Sequence, residues 1–300
     1  VIFLTDSSMI LANYKTESIK ICTQHTVTFK KHFLHEDTLK YDYVFLPGEY
    51  HKERIKKVYK LNNIDKKFKV TGSIKISHFL RSNNFDRLEF MRNMNLDPNR
   101  INVLFAPSHD AHEKDLFGRN RFFPKKYGNQ FNVLKKLIKE LDLLNCNLIV
   151  KLHHYMHFYM KKIFFKKLCN TKNCFVFKSG QYHDVLESND TIEVSDIILT
   201  DTSGVATIGA FLKKKLIFIK PHKPFDWHYS DIEKELRPGF VCDNLDEIVN
   251  ATKNYVNNYD PFIEKKEIFV KKIFANPNKN ANVKIEQTIN ELLNNHGQAN

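Results

Sequence analysis

The sequence has no CxxC pair, and its five cysteines (Cys22, Cys146, Cys169, Cys174 and Cys242) are an odd number. This excludes a disulfide-stapled scaffold and a four-thiolate zinc site, and it points to a reducing compartment. No apolar run reaches the ~18 residues that a membrane-spanning helix needs. Residues Val1 to Thr5 read as a strand, with no basic segment ahead of an apolar stretch, so they do not read as a secretory leader. The first residue is not methionine, and the chain is expected to begin inside a larger protein. There is no internal repeat, no low-complexity linker and no recognisable RNA- or DNA-binding module, so nucleic acid is not expected as a partner.

What is present is a globular composition. Apolar residues make up 42% of the 300 positions and charged residues 27%, enough to bury a core of two ordinary domains. Lys and Arg number 47 against 34 Asp and Glu, a formal net charge of +13. That excess favours polyanionic partners, whether nucleic acid, an anionic membrane surface or phosphorylated substrates, and composition does not choose among them. Part of it follows the abundance of Lys, Asn, Ile and Phe, which reads as a genome composition bias.

Strand-like runs alternate with helical patterns, so the fold class is α/β with parallel sheets. Residues 19–24 and 42–46 read as short buried strands, 48–60 as a basic helix and 68–72 as a strand entering a glycine turn. Residues 84–94 read as a helix capped by Asn84. Asp97-Pro98-Asn99 is the best break in the chain. After it come strand 101–105, helix 130–144, strand 147–152, a basic aromatic helix near 156–168, strand 174–177, strand 196–200, helix 203–212 and strand 215–219. The tail reads as three helices, 244–256, 261–273 and 281–293. The expected organisation is a smaller, incomplete α/β domain over 1–97, a Rossmann-like nucleotide-binding domain over 98–275, and a C-terminal helix and tail over 276–300.

The strongest local feature is Asp196 to Thr207. An apolar strand, Ile197-Ile198-Leu199-Thr200, ends in a polar turn, Asp201-Thr202-Ser203-Gly204, and a helix starts at once. Ligands of open α/β sheets sit beyond the carboxyl ends of strands. A helix N-terminus there offers unpaired N–H groups and a positive dipole end to a phosphate. Thr202 and Ser203 can add hydroxyl donors, and Gly204 permits close backbone approach. Asp201 or Thr202 could instead be simple caps.

This segment resembles the late motif of the CDP-glycerol glycerophosphotransferases, a teichoic-acid polymerase family with a GT-B fold. Further segments fall in the family's order: Cys22-Thr23-Gln24-His25-Thr26, Val70-Thr71-Gly72-Ser73-Ile74-Lys75, Leu104-Phe105-Ala106-Pro107-Ser108-His109, Lys151-Leu152-His153 and Arg237-Pro238-Gly239-Phe240. The resemblance spans roughly residues 10–292. It implies two Rossmann-like domains facing a cleft, and a transferase moving glycerol phosphate or a related alditol phosphate from a CDP-activated donor to an acceptor hydroxyl. It also implies no bound metal and no other cofactor.

Carried onto this chain, the resemblance makes His25 the general base and His153 a group acting on the donor diphosphate. Lys151, Ser108, Asp201, Thr202, Ser203, Gly204 and Gly239 become nucleotide or phosphate contacts. The chain departs from the pattern at Gln24 and Thr26 beside the first histidine, at Ile208 where an acidic residue is usual, and at His154 after the second histidine. Two other readings stand beside this one: a UDP-sugar-dependent GT-B glycosyltransferase or epimerase, and a non-catalytic nucleotide-sugar-binding subunit docked on a membrane. His153, His154 and His157, or His109, His112 and Glu113, have spacings that could suit zinc, but no acidic or cysteine ligand completes the first set. The aromatic-basic stretch around 158–167 reads as a helix covering a sheet, or as a patch lying on anionic lipid. The expected partners are a CDP-alditol donor, a polyol-phosphate or glycan acceptor and an anionic membrane surface, with the protein in the cytoplasm at the inner face of the cell membrane.

Overall fold

A computed structural model describes residues 2–5, 18–23, 36–81, 85–107, 130–151, 172–177, 189–201, 203–219, 237–275 and 280–297. The chain forms two compact units, one of residues 1–83 with 267–300 and the other of residues 84–266. Each is an α/β unit built on a parallel sheet.

In the first unit the strands are β1 (Ile2–Thr5), β2 (Ile19–Thr23), β3 (Tyr43–Leu46) and β4 (Phe68–Val70), ordered as in the sequence. Helix α1 (Glu49–Tyr59) follows β3, and Ile55 points with Val44, Leu46 and Phe68 into one core. Alternation along β2 and β3 puts Ile21 and Phe45 on the opposite face. That face is covered by the far end of the chain. Ile285, Ile289 and Leu292 of helix α9 (Ala281–Gly297) share one side at helical spacing and pack there. The docking is tight at the turns. A Cβ on Gly48 would lie 2.3 Å from the carbonyl oxygen of Ile273. Ala275 N–H donates to the Pro47 carbonyl at 2.8 Å, and Ala281 N–H to Ser77 Oγ at 2.7 Å, where Ser77 belongs to helix α2 (Ile74–Arg81). Residues 267–297 therefore complete the first unit instead of standing as a separate tail.

The second unit holds β5 (Ile101–Phe105), β6 (Cys146–Lys151), β7 (Cys174–Phe177), β8 (Ile197–Thr200), β9 (Lys215–Ile219) and β10 (Phe240–Cys242). The order β7-β6-β5-β8-β9-β10 is that of a doubly wound nucleotide-binding sheet, first strand central and order reversing between β5 and β8. One face is covered by α4 (Gln130–Leu143), through Leu134, Leu137 and Leu141, and by α7 (Leu245–Val256), through Ile248, Ala251 and Tyr255. Cys22, Cys146, Cys174 and Cys242 are buried. Burial pushes the Cys146 thiol up to about 11 and the Cys242 thiol to about 12, so both act as small apolar packing groups.

The division falls at 83/84, ahead of the expected break at 97/98. Helix α3 (Arg87–Asn93) is fastened to the second sheet by polar bonds that the sequence pattern does not display. Arg87 makes a two-pronged ion pair with Asp196, at 2.7 and 3.0 Å, just before β8. Asn147 Nδ2 donates to the Asp97 carbonyl and to Asn102 Oδ1, both at 2.8 Å, inside the sheet base. Asp97-Pro98-Asn99 is thus a turn within the second unit, with Asn99 N–H on Asp97 Oδ1. The cap of α3 is Asp86 and not the expected Asn84: its carboxylate accepts from Leu88 and Glu89 N–H at 2.9 Å each.

Candidate functional site

Strands β5, β6 and β8 end side by side. Phe105 is in register with Val150 of β6 and with Leu199 of β8, so Ala106 lies between Lys151 and Thr200. This is the point where the strand order reverses and where a doubly wound sheet opens a crevice. The ladder continues one step past β5, with Ala106 N–H donating to the Leu199 carbonyl at 3.0 Å. Pro107 then has no N–H to offer. The fully buried Thr200 takes over, its Oγ1 donating to the Ala106 carbonyl at 2.6 Å.

Beyond Thr200 the chain turns into helix α6 (Gly204–Phe211). Asp201 Oδ1 accepts from Ser203 N–H at 3.0 Å, and Ser203, the N-cap, accepts from Val205 N–H at 3.4 Å. The helix lies close on the sheet because residue 209 is glycine. A Cβ there would fall 2.6 Å from Ile198 Cδ1 and 2.9 Å from Leu216 Cδ2. At the other end Lys213 adopts φ +57°. Lys214 N–H reaches the Gly209 carbonyl and Lys213 N–H the Ala210 carbonyl, a Schellman closure. The next carbonyls, of Lys213 and Lys214, accept from the buried Lys266 ammonium at 3.5 and 3.3 Å, and Asp260 neutralises that ammonium at 2.5 Å. This ion pair closes the C-terminal end of α6, while its N-terminal end lies at the carboxyl edge of the sheet, where N–H groups and the helix dipole favour an anion.

Of the expected site residues, the structure brings Lys151, Asp201, Ser203 and Gly204 to the carboxyl edge of the second sheet. His25, Ser108, His153 and Thr202 lie outside the described residues, as does the stretch 158–167. Gly239 is placed differently from expectation. It precedes β10, whose first residue Phe240 is in register with Ile217, so it lies beside Leu216 near the start of β9 and away from the carboxyl edge. Its buried position follows from packing: a Cβ would fall 2.2 Å from the Leu216 carbonyl oxygen. Thr200 and Lys266 were not legible as site-building residues, because the signal is a cross-strand or long-range hydrogen bond. Among the described residues no cluster of three metal-ligating side chains occurs.

Comparisons with known proteins agree with this geometry. The solved structure of the wall teichoic acid polymerase TagF is similar at TM-score 0.62, with 17% identity, covering 94% of this chain and 70% of that one. UDP-GlcNAc 2-epimerase from Neisseria meningitidis, bound to UDP-GlcNAc, is similar at TM-score 0.53, with 16% identity, covering 86% of this chain and 63% of that one. These likenesses show a shared GT-B-like α/β fold. In sequence, the teichoic acid poly(glycerol phosphate) polymerase of Bacillus spizizenii is 25% identical over 244 residues, 77% of this chain. The chain spans 55% of that polymerase's length. Residues 12–291 match the profile of CDP-Glycerol:Poly(glycerophosphate) glycerophosphotransferase, and with nearly the whole sequence inside that match the chain belongs to this family.

Proposed function

We propose that the protein transfers glycerol phosphate from CDP-glycerol to a hydroxyl of a poly(glycerol phosphate) acceptor, in the synthesis of a cell-surface polymer. The observation that carries this reading is the family match over residues 12–291, with a helix N-terminus at the switch point of a doubly wound sheet inside it. A TagF variant soaked with CDPG resembles this chain at TM-score 0.64 and 18% identity, which supports the choice of donor.

In this reaction the acceptor oxygen bonds to the phosphorus that carries glycerol. The bond from that phosphorus to the bridging oxygen breaks, and CMP leaves with its electron pair. The acceptor proton passes to a base, the role given to His25. Charge growing on the departing phosphate is met by the Lys151 ammonium, His153 and the donors of the Ser203-Gly204 turn. Asp201 shapes that turn through its bond to Ser203 N–H.

The place of action is proposed as the cytoplasmic face of the cell membrane. No described helix is long and apolar enough to cross a membrane. The formal charge of +13 would favour an anionic surface. Vesicle sedimentation checks this: recovery should be higher on anionic than on neutral liposomes at low salt, and equal recovery refutes it.

Incubating the purified protein with CDP-glycerol and a glycerol-phosphate oligomer should release CMP and lengthen the oligomer. Release of UDP from a UDP-sugar, with CDP-glycerol left intact, would favour a sugar-nucleotide enzyme instead.

A further inference from the structure

Among the described residues Thr200 is the last fastening across the switch point. The β5–β8 ladder ends with Ala106 N–H on the Leu199 carbonyl, and Pro107 cannot donate another bond. The Thr200 hydroxyl instead holds the Ala106 carbonyl at 2.6 Å, in a position with no exposure to solvent. A buried hydroxyl bonded at that distance costs far more to disrupt than one in water. One residue further on is Asp201, whose carboxylate fixes Ser203 N–H and with it the start of α6. Thr200 therefore ends the strand and ties down the turn after β5, directly beside the residue that fixes the start of α6.

We propose that Thr200 is a positioning residue for donor binding: its hydroxyl, by holding the Ala106 carbonyl across the β5–β8 switch point, sets the width of the crevice that receives the donor diphosphate. The proposal rests on the CDP-glycerol reading above for the identity of the ligand. Thr200 touches no reacting atom in this scheme. Its effect is carried by the spacing of the Ala106-Pro107 turn from the Asp201-Ser203 turn. The Ala106-Pro107 turn walls the crevice and the Ser203-Gly204 turn supplies the donors, so a change in their spacing shifts the diphosphate on those donors, and hydrogen bonds to phosphate weaken steeply beyond about 3.2 Å.

Two substitutions separate the hydroxyl from the shape. Thr200→Val keeps the branched outline and removes the donor; Thr200→Ser keeps the donor and removes the methyl. Thr200→Ala serves as a second hydroxyl deletion should the valine variant fail to fold. CDP affinity is read by calorimetry, kcat and KM on CDP-glycerol by CMP release, and folding by thermal melts, all at a temperature where each variant is folded. The expected result is CDP binding weakened about tenfold or more in the hydroxyl deletions, with KM raised in step, and serine within about threefold of wild type. A deletion variant that melts earlier but binds CDP as wild type does has lost only stability, and overturns the positioning role while the CDP-glycerol reading stands. A serine variant as impaired as the hydroxyl deletions overturns it equally. A wild-type protein that binds no CDP overturns both.

Discussion

His51 gives the first unit a built-in sensitivity to acid. The residue sits in the first turn of α1, 1% exposed, with its ring edge-on to Tyr50 at 5.6 Å between centroids. Burial lowers its pKa from 6.5 to about 4, against a smaller opposing effect of the hydrogen bond to the Gly48 backbone. The folded state thus keeps His51 neutral where the unfolded chain would protonate it. Below the unfolded value the unfolded state binds more protons, so stability falls as pH drops through the window from 6.5 to about 4 and levels off beneath it. The shift corresponds to about 3 kcal/mol at the bottom of the window, at about 1.4 kcal/mol per unit. Near pH 5 the loss is about 2 kcal/mol. Gly48 is also where the Ile273–Ala275 segment docks, so acid should loosen the C-terminal segment together with α1. The assay is urea unfolding of wild type and His51→Leu at pH 7 and pH 5, followed by amide exchange in α1. The leucine variant should lose about 2 kcal/mol less than wild type between the two pH values. Parallel pH dependences in the two proteins would refute the assignment, because the other histidines are common to both.

Four further substitutions test the proposed site and its packing. Gly204→Val should crowd the start of α6 and weaken CDP binding, with the thermal melt nearly unchanged; calorimetry showing full affinity would move the phosphate site elsewhere. Gly239→Ala should do the reverse, lowering stability by about 1–3 kcal/mol through its collision with the Leu216 carbonyl while CDP affinity at low temperature stays as in wild type. His25→Ala should reduce CMP release about 10²–10⁴-fold with donor affinity retained, whereas His153→Ala should weaken CDP binding as well. A His25→Ala protein with full turnover ends its role as base.

The sequence by itself determined the local elements of this protein. Apolar runs bounded by turn residues marked β5, β7 and β9 to the residue, and helical spacing marked α4, α7 and α9, because period and punctuation are properties of neighbouring residues. The strand-turn-helix at 197–211 was legible for the same reason. Tertiary structure alone decided what depends on residues far apart in the chain. A proline turn at 97–99 resembles a domain border until Arg87 is seen paired with Asp196, 109 positions on. The last helix looks like a tail until its Ile285–Leu292 side meets Ile21 and Phe45. Gly239 fits a ligand-contact reading equally well in sequence, and only its register beside Leu216 gives it to the core. Thr200 is one more strand residue until Ala106 arrives beside it. A single hydroxyl carries no sequence signature, and its partner is chosen by the order in which the strands assemble.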